Sequence, residues 1–366
     1  MTSGEYDVVF VGGGLAATLL LNELRPALPR RVAVLETWSP SERPPVHWSY
    51  WSLGATPYDG FAIGAWRRAR VADARPEPIA PYALQLVRST DVLAPMIEAL
   101  RDLPIEWLRA TARSIVRRSD GGYEVVSDAG TVRARWVFDS ACEVVPAFPS
   151  PRRPRAVLSG TGLRVEADQP VFDAGVATLF DPLDERSFAY VLPLSSAEAL
   201  VESASFGSTG VGEDRATLLR YLRAKHPKAN FTVTHSEYGA IPLGFAPPRT
   251  VGPRHVLIGA KRGLVKPSAG YGVVRIAQES ERLGRLWRQQ SPLPPSRRAP
   301  WPWGLLDAGF VRLAIQDPRL PLALLSRVMH AIPLAQSLGF IEEQLSVRQL
   351  APLLRSAAPI MLRKSR

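Results

Sequence analysis

The stretch EYDVVFVGGGLAATLLLNELRPALPRRVAVLE, residues 5–36, constrains this chain more than any other. An apolar run ends in glycines, a segment with apolar residues at helical spacing follows, and a second β-rich run ends in an acid. That order reads as strand, tight turn, helix, strand, a βαβ unit whose two strands lie in one parallel sheet. Gly12, Gly14 and Ala17 fill the positions of a G-x-G-x-x-[G/A] fingerprint, with Gly13, Leu15 and Ala16 between them. Gly12 permits a sharp turn, Gly14 lets backbone approach a pyrophosphate, and Ala17 lets the helix pack closely on the sheet. Glu36, ending the second strand, is placed to accept hydrogen bonds from a ribose, and its charge argues against a 2′-phosphate. The unit predicts a dinucleotide site built on residues 12–17 and Glu36.

At 366 residues the chain is too long for one small core, which predicts two closely packed domains of α/β type. No window offers the roughly 18 uninterrupted apolar residues of a membrane-spanning helix. The start, MTSGEYDVVF, has no basic segment followed by a small-residue cleavage site, so no secretory signal is expected. A single cysteine, Cys142, excludes an internal disulfide and fits a reducing cytoplasm. The five histidines show no metal-ligand spacing, so no metal is expected. The formal charge of +11 is nearly all arginine, since lysine occurs only at 225, 228, 261, 266 and 364. No basic helix or basic–aromatic interleaving of a nucleic-acid module occurs, so nucleic acid is not an expected partner. An anionic membrane surface and a plain solvated Arg-rich surface both stay open.

Two later segments favour FAD over NAD. VRSTDVLAPMIEAL (87–100) starts around Arg88 and reads as an amphipathic helix; YEVVSDAGTVRARWVFDSA (123–141) reads as a hairpin around DAG that returns as a buried strand. A βαβ start, an Arg-led helix, a meander and a return strand make up the sheet of a flavoprotein hydroxylase-like fold. Arg88 is then a cofactor contact, or else an ordinary surface arginine. VPAFPSPRRPRAV (145–157) reads as a domain crossover, and residues 165–240 as a β-rich sheet with one face buried, interrupted by the helix TLLRYLRAKHP.

VGPRHVLIGAKRGLVKPSAGYG (251–272) then returns to the first domain. Its glycine-bearing loop feeds a helix from residue 273, whose N–H groups suit an anionic or electron-rich ligand. Gly263, Leu264, Lys266, Pro267, Gly270, Tyr271 and Gly272 are the expected flavin contacts in this loop. After the linker SPLPPSRRAPWPW (291–303) the tail reads as helical, and its apolar stretch 321–340 suits a greasy tunnel, a bilayer surface or core packing. The expected division is an FAD-binding domain from 1–157 and 250–290, a β-rich substrate domain from 158–249, and a helical segment from 291–366.

The motifs VVFVGGGLAATLL (8–20), HWSYW (47–51), FAYVLPLSSAEALVES (188–203), EYGAIPLG (237–244) and GLVKPSAGYG, in this order and spacing, resemble the FAD-dependent bacterial lycopene cyclases over nearly the whole chain. Generic flavin hydroxylases share the first motif but neither HWSYW nor YVLP…VES, and usually carry an Asp after IGA (258–260), which is absent here. The resemblance implies an α/β fold: a Rossmann-type, GR2-type FAD domain with an inserted β-rich substrate domain and a helical tail. It implies FAD acting in its reduced form, with NAD(P)H or another external reductant, in a redox-neutral ring closure on a hydrophobic polyene such as lycopene. An intramolecular lyase or isomerase of this kind would work in the cytoplasm, peripherally at a membrane surface.

Such a reaction needs an acid to protonate an alkene, an electron-rich surface facing the carbocation, and a base. The resemblance matches Glu202 to the first acid of the family's paired-acid motif and Glu237 to the acid of its E-x-G-x-[IL]-P segment, and it places His47 and Trp48 at the cofactor. Burial of a carboxylate would raise its pKa into the range of a general acid. The chain departs from the pattern at Ser203, where the family has its second acid, and at FDSAC, which keeps Asp139 but loses an arginine and a glycine. The third departure is Lys266, where the family has a histidine; it either sets a positive charge beside the isoalloxazine or points to solvent. Alternatives are an FAD-dependent monooxygenase or other oxidoreductase, a cyclase of a non-carotenoid polyene, and a non-catalytic basic membrane-surface protein with structural FAD.

Overall fold

In the computed structural model, which describes residues 5–39, 42–141, 154–207, 214–245, 252–294 and 301–361, the opening βαβ unit forms as its pattern predicts. β1 (Tyr6–Val11) is buried almost throughout, because helices cover one face of a parallel sheet and further strands the other. α1 (Leu15–Leu24) presses Ala17, Leu20 and Leu24 onto it, and β2 (Val32–Glu36) runs parallel to β1.

β3 (His47–Leu53), β4 (Ala62–Trp66), β5 (Arg68–Val71), β6 (Glu77–Pro78) and β7 (Tyr82–Arg88) follow. Three of them form a small antiparallel sheet in the order β3-β7-β4. α2 (Ser89–Glu98) leads to β8 (Ile105–Arg109), which joins β2 in parallel. β9 (Ala112–Arg117), β10 (Tyr123–Ser127) and β11 (Gly130–Asp139) then make the expected meander, and β11 returns beside β1. The first sheet therefore runs β8-β2-β1-β11-β10-β9.

The second sheet is built from β12 (Pro154–Ala167), β13 (Ala177–Pro182), β14 (Ser187–Pro193), β15 (Glu198–Gly207) and, after α3 (Arg215–Lys225), β16 (Phe231–Phe245). Its order is β16-β12-β15-β14-β13-β5-β6, so two short strands from the N-terminal part of the chain complete its far edge. α3 covers one face, with Leu218 and Leu222 against Leu163, Val165 and Val201. β17 (His255–Leu257) then re-enters the first sheet parallel to β11, and α4 (Val273–Arg288) packs Ile276 and Leu283 into the same core as α1.

The tail is helical: α5 (Trp303–Gln316), α6 (Arg319–Ala331), α7 (Leu334–Ile341) and α8 (Val347–Met361). It closes the other face of the second sheet, where Phe310 meets Phe206 edge-on with centroids 5.1 Å apart. Leu322, Leu325, Met329, Leu334 and Leu338 share that core, so the apolar stretch 321–340 is largely packed inside. Each such side chain contributes about 1.5–3 kcal/mol by leaving water, which makes the tail part of the fold rather than an appendage. No described helix is long and apolar enough to cross a membrane. Cys142, most of the crossover read at 145–157, and residues 295–300 of the linker lie outside the described residues.

Candidate active site

The C-terminal ends of β1 and β2 open onto a cleft lined by Gly12, Gly14, Glu36, Thr111, Ser140 and Ala141 among others. Gly12 holds φ +91°, and a Cβ there would collide with Ser140 Oγ, so the turn requires glycine twice over. Gly14 caps α1 without a side-chain hydrogen bond, which leaves first-turn N–H groups for a ligand. Arg43 reaches over this loop, its Nη1 standing 3.7 Å from where a Gly14 Cβ would be. Glu36 Oε2 accepts from Gly13 N–H at 2.7 Å and from Arg43 Nη2 at 2.7 Å. A sharp glycine turn, unclaimed helix N–H groups, one cation and one acid fit the ADP half of FAD. Leu15, Ala16 and Ala17 instead serve helix–sheet packing. Nothing in the segment SERPPV marks Arg43 as a ligand.

A second cavity, of about 410 Å³, lies between the small sheet, the β12–β15–β16 strands and residues 269–273. His47, Trp48, Leu158, Tyr190, Glu202, Glu237 and Tyr271 line it. Gly270 has φ +77°, and a Cβ there would stand 2.5 Å from Leu158 Cδ2, so the loop passes the strands at backbone distance. Gly272 caps α4 with no side-chain hydrogen bond, as the sequence pattern predicts for a ligand-facing terminus. Tyr190 and Tyr271 share a hydrogen bond, and burial raises the pKa of both phenols.

Glu202 of β15 and Glu237 of β16 stand opposite the same β12 residue, Gly162. A Cβ on Gly162 would lie 2.8 Å from Glu237 Cγ, so the Glu237 side chain occupies the space a larger residue would fill. Glu202 is half-buried, and it lines the cavity. Burial, and then the Glu237 charge, push its pKa up to about 8. Glu237 accepts from the His47 backbone N–H at 3.0 Å, and its Oε2 also lies 3.0 Å from His47 Nδ1. Ser203, where the family carries its second acid, holds Thr161 N–H through its hydroxyl at 3.1 Å.

Other expectations need correction. Lys266 neither faces the cavity nor points to solvent. It is fully buried beneath the tail, 2.8 Å from Asp307 and 3.2 Å from Glu343, with its Nζ 5.0 Å and 5.1 Å from the Trp303 and Phe340 ring centres. A cation this deep must be paired, and the pairing acids sit on the tail. Leu264 and Pro267 are buried beside it, and Gly263 is exposed at φ +77°, where it serves the turn. Arg88 ends β7 opposite His47, half-exposed and 4.0 Å from Asp91, and lines neither cavity.

Asp139, the residue kept from the family's Asp-x-Arg-Gly, meets Lys261 at 2.6 Å and His255 at 3.1 Å. Burial raises its pKa, but the His255 hydrogen bond and the Lys261 charge together hold it below the usual carboxylate range. Lys261 is thus a cation that pairs with Asp139 in this chain. Two of the five histidines, scattered in sequence, come together in space: His47 and His235 both meet Glu237. The signal for His235 was the H-x-E spacing in HSEYG, which puts both side chains on one face of a strand.

Solved structures share this architecture. A geranylgeranyl bacteriochlorophyll reductase-like protein from Thermoplasma acidophilum superimposes with a TM-score of 0.59 at 14% identity, covering 98% of each chain. Halogenase PltM in complex with phloroglucinol and FAD gives 0.55 at 14% identity, over 98% of this chain and 86% of its own. The flavin-dependent brominase Bmp2 gives 0.55 at 13% identity, over 98% of this chain and 93% of its own. Identities this low establish the fold alone, a GR2-type flavoprotein fold with a helical C-terminal region. No curated protein matches the chain. The family model described as Lycopene cyclase protein matches residues 7–304, from β1 to the start of α5, and the chain belongs to the lycopene cyclase family.

Proposed function

We propose that the chain is an FAD-dependent cyclase that closes a ring at the end of a linear polyene, lycopene or a related carotenoid, with no net redox change. The observation that carries this reading is a carboxyl poised near pH 8, Glu202, lining a cavity with a second carboxyl, Glu237, from the edge strand on the far side of β12. Reduced FAD, kept so by NAD(P)H or another external reductant, supplies an electron-rich face to a developing cation. The chain's own residues do the rest. The Glu202 O–H proton is added to the terminal C=C, leaving a carboxylate on Glu202 and a cation on the substrate. The neighbouring C=C gives its electron pair to that cation and forms the ring bond. Glu237 takes a proton from the adjacent ring carbon, and the bonding pair left behind restores an alkene. One proton enters and one leaves, so mass is unchanged.

Trp48, Leu158, Tyr190, Ile241 and Tyr271 line the same cavity and would keep water from trapping the cation. Aromatic faces attract positive charge, which favours this lining for a carbocation. Trp301 and Leu305, 75% and 68% exposed at the start of the tail, together with the +11 charge, support peripheral docking on an anionic bilayer that holds the substrate.

Anaerobic incubation with photoreduced FAD and lycopene, followed by mass analysis, tests the reading. A cyclised isomer is expected. A second reading, an FAD-dependent monooxygenase or reductase, draws on the halogenases and the reductase-like protein that share the fold. A product heavier by oxygen or by two hydrogens would establish that reading and overturn the first.

A further inference from the structure

The outer strand of the small sheet, β3, touches the outer strand of the second sheet, β16, through the hydrogen bonds of its first residue to a β16 side chain. At that seam stand His47 from the start of β3 and, two residues apart on one face of β16, His235 and Glu237. Their donor atoms lie within 4.8 Å of one another. His47 Nδ1 is 3.0 Å from Glu237 Oε2, and His235 Nε2 is 3.4 Å from the same oxygen. Donor atoms bound to one ion at about 2.0–2.2 Å stand about 2.9–3.5 Å apart, so the two distances to Glu237 Oε2 are those of a coordination shell.

Burial adds an independent reason. His235 Nε2 is a buried polar atom with no hydrogen-bond partner, while the rest of that side chain is 32% exposed. The hydrogen bond between His47 Nδ1 and Glu237 accounts for that nitrogen and leaves His235 Nε2 unexplained, as it leaves His47 Nε2. An ion shared by all three would give His235 Nε2 its partner and replace the proton between His47 and Glu237.

We propose that His47, His235 and Glu237 form a binding site for a divalent transition ion of the zinc class. Two neutral imidazoles and one carboxylate suit Zn²⁺, Co²⁺ or Ni²⁺, whereas Mg²⁺ and Ca²⁺ require oxygen ligands. Three protein ligands leave an open position, and the partly exposed His235 gives a route in from solvent. Glu237 borders the cavity, so a bound ion would take up the carboxylate that the proposed cyclisation uses as base; this consequence, unlike the site itself, rests on that reading.

Calorimetric titration of the FAD-loaded protein with Zn²⁺ alone tests the site without any turnover measurement. One equivalent per chain is expected, with no heat from Mg²⁺ at the same concentration. Loss of an outer partner of a metal ligand weakens binding about 10–100-fold, so His235→Ala, which removes a ligand, should weaken it at least about a hundredfold. FAD content and melting temperature of His235→Ala should match wild type, and His330→Ala, on an exposed helix end, should leave Zn²⁺ binding unchanged. No Zn²⁺ binding, or binding that survives His235→Ala, would overturn the site and leave Glu237 and His47 as a hydrogen-bonded pair. Either result is separate from cyclase activity, which the product analysis addresses.

Discussion

Glu202 and Glu237 belong to strands that never touch, yet each stands directly opposite Gly162 on the strand between them. Neighbouring strands lie about 4.8 Å apart, so residues flanking one central position on the same face sit about two such spacings apart at the backbone. Gly162 contributes no side chain to that gap, and the Glu237 side chain lies over it. The two acids therefore interact across a glycine, which is how the Glu237 charge reaches Glu202. The family pairs Glu202 with its sequence neighbour, whereas here the second carboxyl comes from the edge strand.

Replacing Glu202 with Gln keeps the size and hydrogen bonding of the side chain but removes its acidic proton. Turnover should fall at least about a hundredfold, while FAD content stays that of wild type. Wild-type turnover should itself decline as pH rises through about 8, because the proton donor is then ionised. Unchanged turnover in Glu202→Gln would move the acid to Glu237.

The same carboxyl shapes stability with a definite sign. Its folded pKa of about 8 lies above the unfolded value of 4.5, so between these pH values the folded chain holds a proton that the unfolded chain has released. The stability associated with the neutral buried acid is thus full below 4.5 and is lost progressively up to about pH 8. Glu202→Gln has no proton to lose. Its melting temperature relative to wild type should therefore climb as pH is raised from 5 to 8, an assay that needs no substrate. A difference that stays flat over this window would mean the carboxyl is not held neutral by the fold.

Gly162→Ala tests the glycine gap. The new methyl would stand 2.8 Å from Glu237 Cγ and 3.0 Å from its Oε1, so the carboxylate must swing away. Misplacing a reacting group by about 1 Å costs on the order of a hundredfold in rate, and a loss of that order is expected. As the Glu237 charge recedes, the alkaline limb of the pH–rate profile should move to lower pH. A lower rate with an unmoved limb would show that Gly162 matters for packing and not for the coupling of the two acids.

What could be read in advance follows how local each signal is. Gly12, Gly14 and Glu36 were legible because the turn and the strand end that need them lie within one βαβ unit. The helix start at Gly272 was legible for the same reason. The H-x-E spacing does not by itself mark His235 as part of a site, because its meaning depends on His47, which lies 190 residues before Glu237 in the chain. β5 and β6 were unreadable as members of the second sheet: RARV and EP carry too little alternation to name a partner. The place of Lys266 is not legible in the sequence, because its acid Glu343 is 77 residues further on, in a tail whose docking no local pattern announces.

The position of Lys266 makes it a fastener between the loop 263–272 and the tail, and this sets the outcome of its removal. Arg275 also pairs with Glu343, at 3.0 Å, so Glu343 keeps a cation in Lys266→Met. Asp307 does not fare so well. Burial already raises its pKa, and the Lys266 charge is the leading influence that lowers it. Without that charge the carboxyl must either stay ionised and uncompensated or take up a proton. Breaking a buried pair by deleting one partner costs about 3–5 kcal/mol, so Lys266→Met should unfold at markedly lower urea. Adding Asp307→Asn removes the stranded charge and should recover part of the loss, which a simple packing defect around the new side chain would not allow. FAD content and the flavin absorption spectrum should match wild type in both variants, since the Lys266 ammonium is enclosed by Trp303, Phe340, Asp307 and Glu343. A shifted flavin spectrum with unchanged urea stability would instead put the Lys266 charge at the cofactor.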